Sequence, residues 1–241
     1  MCRMLLHNAS TNVSLSERAL KGIKEMARNG LSARCGIGPH GDGFGVAWFL
    51  SNGYGIYKNL KPIWEENIPN IPALSHIIHA RKKSRGEIDF IDTHPLQLRD
   101  LILAHNGTIY SFNRRPTLFK PMGKTDSEVF LCLLAEAYYT GSNIRKALEY
   151  AIESVDMASS LNMFIVSLSE KKIIVINLFS NVPRCPEYYV LWLHRNDEEF
   201  YVASEPIKEM IDWEPLSQSP DELTILETII GNPRAIAISR C

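Results

Sequence analysis

Residues 125–155 read TDSEVFLCLLAEAYYTGSNIRKALEYAIESV, two helix-like runs in direct succession, and what flanks them decides the fold class. Thr125 and Glu128 form a capping box that opens the first run. After Ser142 a second run sets Ile144, Ala147, Leu148, Ala151, Ile152 and Val155 on one face. Downstream come LNMFIVSL and KIIVINLF around a SEKK loop, YYVLWLH and FYVASE around NDEE, and RAIAIS near the C-terminus, all strand-like. Upstream, GFGVAWFL and GYGIYKNL flank Asn52-Gly53, which predicts a hairpin with a primed turn. LSHIIHA (74–80) and LILAHNGTI (101–109) add strands by length and β-branched content. A further helix from about Leu15 to Asn29 follows from the Ser14-x-x-Glu17 box, the apolar Leu20, Ile23 and Ala27, and the stop at Gly30. Strands, then helices, then strands predict an α+β layered domain and argue against a doubly wound parallel sheet.

The 241 residues carry a formal net charge of −1 with 45% hydrophobic residues, ample material for a core. Acidic and basic residues nearly cancel and no dense Lys/Arg block appears, so neither a nucleic-acid nor a membrane partner is expected. A small polar metabolite fits better. MCRMLLHNAS lacks the pattern of a secretory signal and no apolar run reaches about 18 residues, so a cytoplasmic protein is expected. No repeat or low-complexity linker divides residues 1–241, which read as a single domain. The five cysteines are far apart without a Cys-x-x-Cys pair. They predict neither a disulfide framework nor a zinc site, with Cys35, Cys132 and Cys185 as reduced packing or surface residues.

Cys2 follows the initiator Met1, so removal of one residue puts a thiol and a free α-amine on the same residue. The thiol titrates near ~8.5 and the amine near ~7.7 to 8.0, so the amine is a proton acceptor for the sulfur. GIGPHG at 36–41 matches the dinucleotide fingerprint, but a helix precedes it and a strand follows, the reverse of the required order. The glycines of HGDGFG serve a tight turn or a close backbone approach. His79-Ala80-Arg81 ends a strand, where a guanidinium offers two parallel donors to a carboxylate. His76 and His79 lack a third ligand at sensible spacing, so no metal is expected. In AHNG (104–107) the Asn106 amide and the Gly107 backbone N–H are adjacent donors suited to an oxyanion. Asn-Gly is also a common turn, and Asp126 in a first helical turn also meets the helix dipole without any ligand.

Cys2, HGDGFG, HAR, THP, AHNG and TDSE, in this order, resemble the class II glutamine amidotransferases, and ASEP at 203–206 extends the resemblance. It implies a four-layer αββα sandwich of the N-terminal-nucleophile hydrolase type and a single amidotransferase domain over 1–241. It also implies Cys2 as nucleophile with its own amine as base, and Asn106 with Gly107 as oxyanion hole. Arg81 is implied for the substrate α-carboxylate, Asp126 for its α-ammonium, and Ser84 and His94 as site neighbours. No cofactor is implied. Lys82 and Lys83 depart from the aromatic and small residue common in the large synthases. With no second domain to use ammonia, the chain resembles the stand-alone branch. Its expected activity is glutaminase chemistry, with either water or a separate synthase subunit as the acceptor. Hydrolysis of other γ-glutamyl amides, or a non-catalytic glutamine-sensing module, are the alternatives.

Overall fold

The structure is a computed structural model that describes residues 2–31, 35–180, 185–217 and 219–240. Two antiparallel sheets lie face to face. The first has β1 (Arg3–Val13) near its centre, in the order β13 (Glu214–Pro215), β11 (Trp192–Arg195), β12 (Glu199–Ala203), β1, β4 (Ala73–Ala80), β2 (Phe44–Leu50), β3 (Gly53–Asn59). The second runs β15 (Asn232–Arg240), β14 (Thr224–Ile229), β10 (Lys172–Asn177), β9 (Asn162–Ser167), β6 (Leu101–Asn106), β5 (Leu96–Leu98). A small ribbon pairs β7 (Ile109–Phe112) with β8 (Val155–Ala158).

Period-2 alternation sorts the side chains into layers. Met4, Leu6, Phe49 and Ile77 of the first sheet meet Ile102, Phe164, Val166, Val175 and Leu226 of the second. Leu5, Val46, Ile78 and Ala203 point the other way, onto Ala19, Ile23 and Ala27 of α1 (Glu17–Asn29). Leu103, Met163, Ile165 and Ile174 pack under α2 (Asp126–Tyr139) and α3 (Ile144–Glu153). The result is the four-layer αββα sandwich. Among the described residues no helix is long and apolar enough to cross a membrane.

Several expectations are corrected. Helix α1 is capped by Ser16, which accepts from Ala19 N at 3.2 Å, because Asn70 holds Leu15 N at 2.8 Å and keeps the chain extended past Ser14. Helix α3 ends before Val155, which pairs with Phe112 in the ribbon. The β2–β3 turn is Ser51-Asn52, since Leu50 already pairs with Gly53. LILAHNGTI is two strands, broken at Gly107. Strands β1, β5, β13 and β14 stand where no strand was expected, and β8 begins at Val155, which was expected on the helix. Cys35 and Cys185 are not separate reduced residues but a disulfide, with Cα atoms 5.9 Å apart. A separation of 150 residues leaves no local spacing to read, and only the fold brings the segment after α1 beside the turn Pro186–Tyr189.

Candidate active site

The N-terminal end of β1 and the C-terminal end of β6 come from different sheets and meet at one end of the sandwich. Cys2 is buried there, and its nitrogen donates to Asn106 Oδ1 at 2.6 Å. That nitrogen is a peptide N–H while Met1 is attached, and it stands where the α-amine of a trimmed chain would be. With Oδ1 committed, the amide of Asn106 has one orientation, and its Nδ2 is buried without a partner. A buried orphan donor is costly unless something arrives to accept from it. The Asn106 carbonyl takes the Ser160 hydroxyl at 2.8 Å. Gly107 is obligatory, because a Cβ there would strike the Ser160 carbonyl and the His105 ring.

Burial pushes the Cys2 thiol pKa up, but the charges of His79 and of the chain's N-terminus, with hydrogen bonding at the sulfur, together outweigh it and carry it down to about 6. Sγ lies 3.8 Å from the Lys82 carbonyl oxygen. The start of β1 is locked from β12 onward: Met4 N donates to Ser204 Oγ at 3.0 Å, and the buried Arg3 meets Glu205 at 2.9 Å. Arg3 also lies over the Tyr188 ring, 3.8 Å from its centroid, and Tyr188 hydroxyl donates to His40 Nε2 at 2.7 Å. Burial, with Arg3 nearby, holds the His40 pKa down to about 2, so the ring is a neutral acceptor.

The other predicted residues fall around this centre. Arg81 is buried, and its guanidinium donates to the carbonyls of Glu87 and Arg85, the latter at 3.0 Å. The fork is thus clamped within the loop that leaves β4. Ser84, in that loop, is exposed and accepts from Thr108 hydroxyl at 3.0 Å. Asp126 is buried at the start of α2, and its carboxylate takes Ile109 N–H, tying α2 to the strand beyond the Asn106-Gly107 break. His94 is fully enclosed, stacked on His79 at 4.5 Å, with neither ring nitrogen partnered. It reaches Cys2 through His79. Glycines of HGDGFG make close approaches as expected: Gly43 has φ +98°, and a Cβ on Gly45 would strike the His94 carbonyl. His76 and His79 lie on opposite faces of β4; His76 Nδ1 meets His7 Nδ1 at 3.2 Å, away from the cysteine.

Sequence reasoning missed four contributors: His79, His105, Asp92 and Arg3. Asp92 accepts Glu87 N and Lys124 N, at 2.5 and 2.9 Å, so it shapes the Arg81 loop against the segment entering α2. His105 bridges Ser127 Oγ at 2.9 Å and the Ser160 carbonyl at 3.1 Å. The available signal was polarity inside otherwise apolar strands, as in LSHIIHA and LILAHN.

The glutamine amidotransferases class-II family matches over residues 1–171. The chain is 31% identical over 159 residues to the "Putative glutamine amidotransferase" of Haemophilus influenzae, covering 61% of this chain and 50% of that protein. It therefore spans about half the length of that relative. It superposes on the glutamine phosphoribosylpyrophosphate amidotransferase from B. subtilis with TM-score 0.62 and 15% identity, over 99% of this chain and 49% of that one. On the "predicted glutamine amidotransferase from Pseudomonas aeruginosa" the TM-score is 0.60 at 17% identity, over 97% and 100% of the two chains. At these identities the structural likeness is one of fold.

Proposed function

The chain belongs to the class-II glutamine amidotransferases, and from that premise we propose that it is an amidohydrolase whose Cys2 attacks the γ-amide of L-glutamine, releasing ammonia through a γ-glutamyl thioester. The observation that carries the reading is Asn106, whose Oδ1 is tied to the Cys2 nitrogen while its Nδ2 is a buried donor without a partner. A carbonyl oxygen turning into an oxyanion satisfies that donor, and the gain is larger in the transition state than in the ground state. A thiol with a pKa of about 6 is largely thiolate at neutral pH, as attack requires.

In this reading Met1 is removed, the freed α-amine carries protons for the leaving nitrogen, and Gly107 N–H is the second oxyanion donor. Arg81 receives the substrate carboxylate and Asp126 its ammonium, with Ser84 and His94 bordering them. Ammonia passes to a separate synthase subunit, or water is the final acceptor and the natural substrate is another γ-glutamyl amide. Purified chain assayed with L-glutamine, a γ-glutamyl peptide, D-glutamine and N-acetylglutamine decides among these. Hydrolysis of the first two and not of the last two is expected, with loss of both activities in Cys2→Ala. Equal rates for N-acetylglutamine and glutamine would exclude Asp126 as the ammonium site. Intact mass tests the trimming of Met1, and full activity with Met1 retained would remove the α-amine from the mechanism.

A further inference from the structure

Arg3 follows Cys2 directly, and its side chain is wholly buried. A guanidinium out of water is tolerated only while its partners stay in place. Those partners come from two segments, and each segment carries one sulfur of the Cys35–Cys185 disulfide. On the Cys185 side the turn Pro186–Tyr189 supplies two of them: the Tyr188 carbonyl accepts from Arg3 Nη1 at 3.2 Å, and the Tyr188 ring lies against the cation. Tyr188 N donates to the Cys185 carbonyl at 3.1 Å, so the turn is tied to that sulfur's own residue. On the Cys35 side the partner is Glu205, whose carboxylate meets Arg3 Nη2 at 2.9 Å and accepts Leu31 N at 2.8 Å. The Leu31 carbonyl in turn takes Cys35 N at 2.8 Å. The contacts close on themselves, from Cys35 through Leu31, Glu205, Arg3 and Tyr188 to Cys185, and the disulfide completes the circuit. Both of its cysteines are half-buried, whereas Cys2 and Cys132 are buried.

We propose that Cys35–Cys185 is a thiol-exchange site for a dithiol reductant, and that its disulfide form is the one that holds Cys2 in position. One thiolate of the dithiol attacks a sulfur of the pair. An S–S bond forms between them as the Cys35–Cys185 bond breaks, and the released cysteine sulfur takes a proton. The second thiolate of the reductant then attacks the reductant's own sulfur in the mixed disulfide, which closes the oxidised reductant and releases the other cysteine to take the second proton. Two electrons and two protons pass from the dithiol to the pair.

With the bond open, the segment after α1 and the turn carrying Tyr188 are joined only through the Arg3 guanidinium and the contact of His40 with the Tyr188 hydroxyl. Arg3 is the first residue of β1, so movement there reaches the Cys2 nitrogen that Asn106 fixes and the sulfur beside the Lys82 carbonyl. Arg81 and Asp126 stand on other segments and take no part in the circuit. Reduction therefore lowers kcat and leaves KM nearly unchanged, with Arg3 as a positioning residue. Reductant ordinarily protects a cysteine nucleophile from oxidation, so a loss has the opposite sign to that effect.

The kinetic arm of the test rests on the amidohydrolase reading, and the exchange arm does not. Glutamine turnover is measured on the oxidised chain and on the chain reduced with dithiothreitol, with thiol counting to show the pair closed or open. On reduction kcat is expected to fall about 10 to 10²-fold, as for a nucleophile moved by a fraction of an ångström to an ångström. The Cys35→Ser/Cys185→Ser double variant is expected at the reduced level with or without dithiothreitol, and a double variant that still responds would assign the effect to another thiol and overturn the proposal. Leu148→Ala on α3 opens a cavity far from the circuit and is expected to keep the oxidised kcat. If it lowers kcat as much as reduction does, lost stability is the cause and the proposal falls. Amide exchange read by mass spectrometry on the same samples is expected to quicken at Met4, Leu31 and Tyr188 once the pair is open. Exchange unchanged by reduction overturns the proposal, as does a pair that stays unbonded under oxidant. Exchange that quickens in a chain hydrolysing no glutamine in either state upholds the clamp on Arg3 and defeats the amidohydrolase reading instead.

Discussion

Asn106 is held at three points: its side-chain oxygen by the Cys2 nitrogen, its carbonyl by the Ser160 hydroxyl, and its backbone by the pairing with Asn162. Under the proposed function, a residue fixed so firmly with a free donor left over is preorganised for the oxyanion. Asn106→Ala is expected to lower kcat by about 10² to 10³ with a smaller change in KM, the usual loss for one oxyanion donor. Steady-state kinetics on glutamine check this, and a loss confined to KM would make Asn106 a ground-state contact. Arg81 makes the opposite prediction. Its fork is clamped by two loop carbonyls, and Lys offers a point charge in place of that geometry. Arg81→Lys is expected to raise KM several-fold more than it lowers kcat, and an unchanged KM would reassign the carboxylate site. The strand end at Asn106-Gly107 was legible because Asn-Gly marks a turn after an apolar run, and as a common turn it fixed no role for the two donors. His79 was not, because in LSHIIHA it looks the same as His76, and only the opposite faces of β4 separate a ring beside Cys2 from one beside His7.

At the scale of elements, apolar runs rich in β-branched residues and bounded by turns were legible even where both faces are buried, as in β6 and β9, whereas β1, with Arg, His and Asn among its buried residues, was not. Arg3 to Ala9 in β1 are all buried, so the strand that follows Cys2 shows no period of two. Helix α1 slipped by two residues because a loop asparagine competes for its first N–H groups, an interaction from 55 residues away that no local rule contains. The Cys35–Cys185 link is equally non-local. It anchors the turn that carries Tyr188, and through the Tyr188 ring the Arg3 side chain next to Cys2. Closing so long a loop is worth about 2 to 4 kcal/mol, by a mechanism that is partly entropic. Cys35→Ser is therefore expected to lower the unfolding free energy by that amount and the denaturation midpoint with it, and reductant should do the same to the unmodified chain and nothing to the variant. Identical midpoints with and without reductant would mean the two sulfurs are not bonded in solution. Counting thiols on freshly isolated protein also bears on the cytoplasmic expectation, since stable disulfides belong to oxidising compartments.

The molecule as a whole is built around buried imidazoles: six of its seven histidines are inside. Burial holds the pKa of His40 down to about 2 and that of His76 to about 4, and it lowers those of His94 and His105 as well. Their folded-state values lie below the unfolded value near ~6.5, so at acid pH the unfolded chain binds protons that the folded chain refuses. The sign follows: their contribution is fully present above about pH 6.5 and is lost as pH falls from there toward the folded pKa. Each such histidine costs up to about 1.4 kcal/mol per pH unit in that window, with His94 and His105 too close together to add independently. Glu199, whose carboxyl is held below its usual range mainly by a hydrogen bond from His7, begins to lose its contribution only at lower pH, as it protonates. From pH 6.5 to 5 the loss then amounts to several kcal/mol, a large part of the 5 to 15 kcal/mol that ordinarily separates folded from unfolded chains. For a chain of this size about 2 to 4 °C of Tm accompanies each kcal/mol. Calorimetry across pH 5 to 8 is expected to show Tm falling steeply below pH 6.5 and nearly flat between 7 and 8. His76→Phe, which removes the one proton site among these lying away from Cys2 and from Tyr188, should flatten the acid limb. A Tm independent of pH from 7 to 5 would show that the buried rings are hydrated or already charged, and would undo the neutral His94 on which the stacking beside His79 depends.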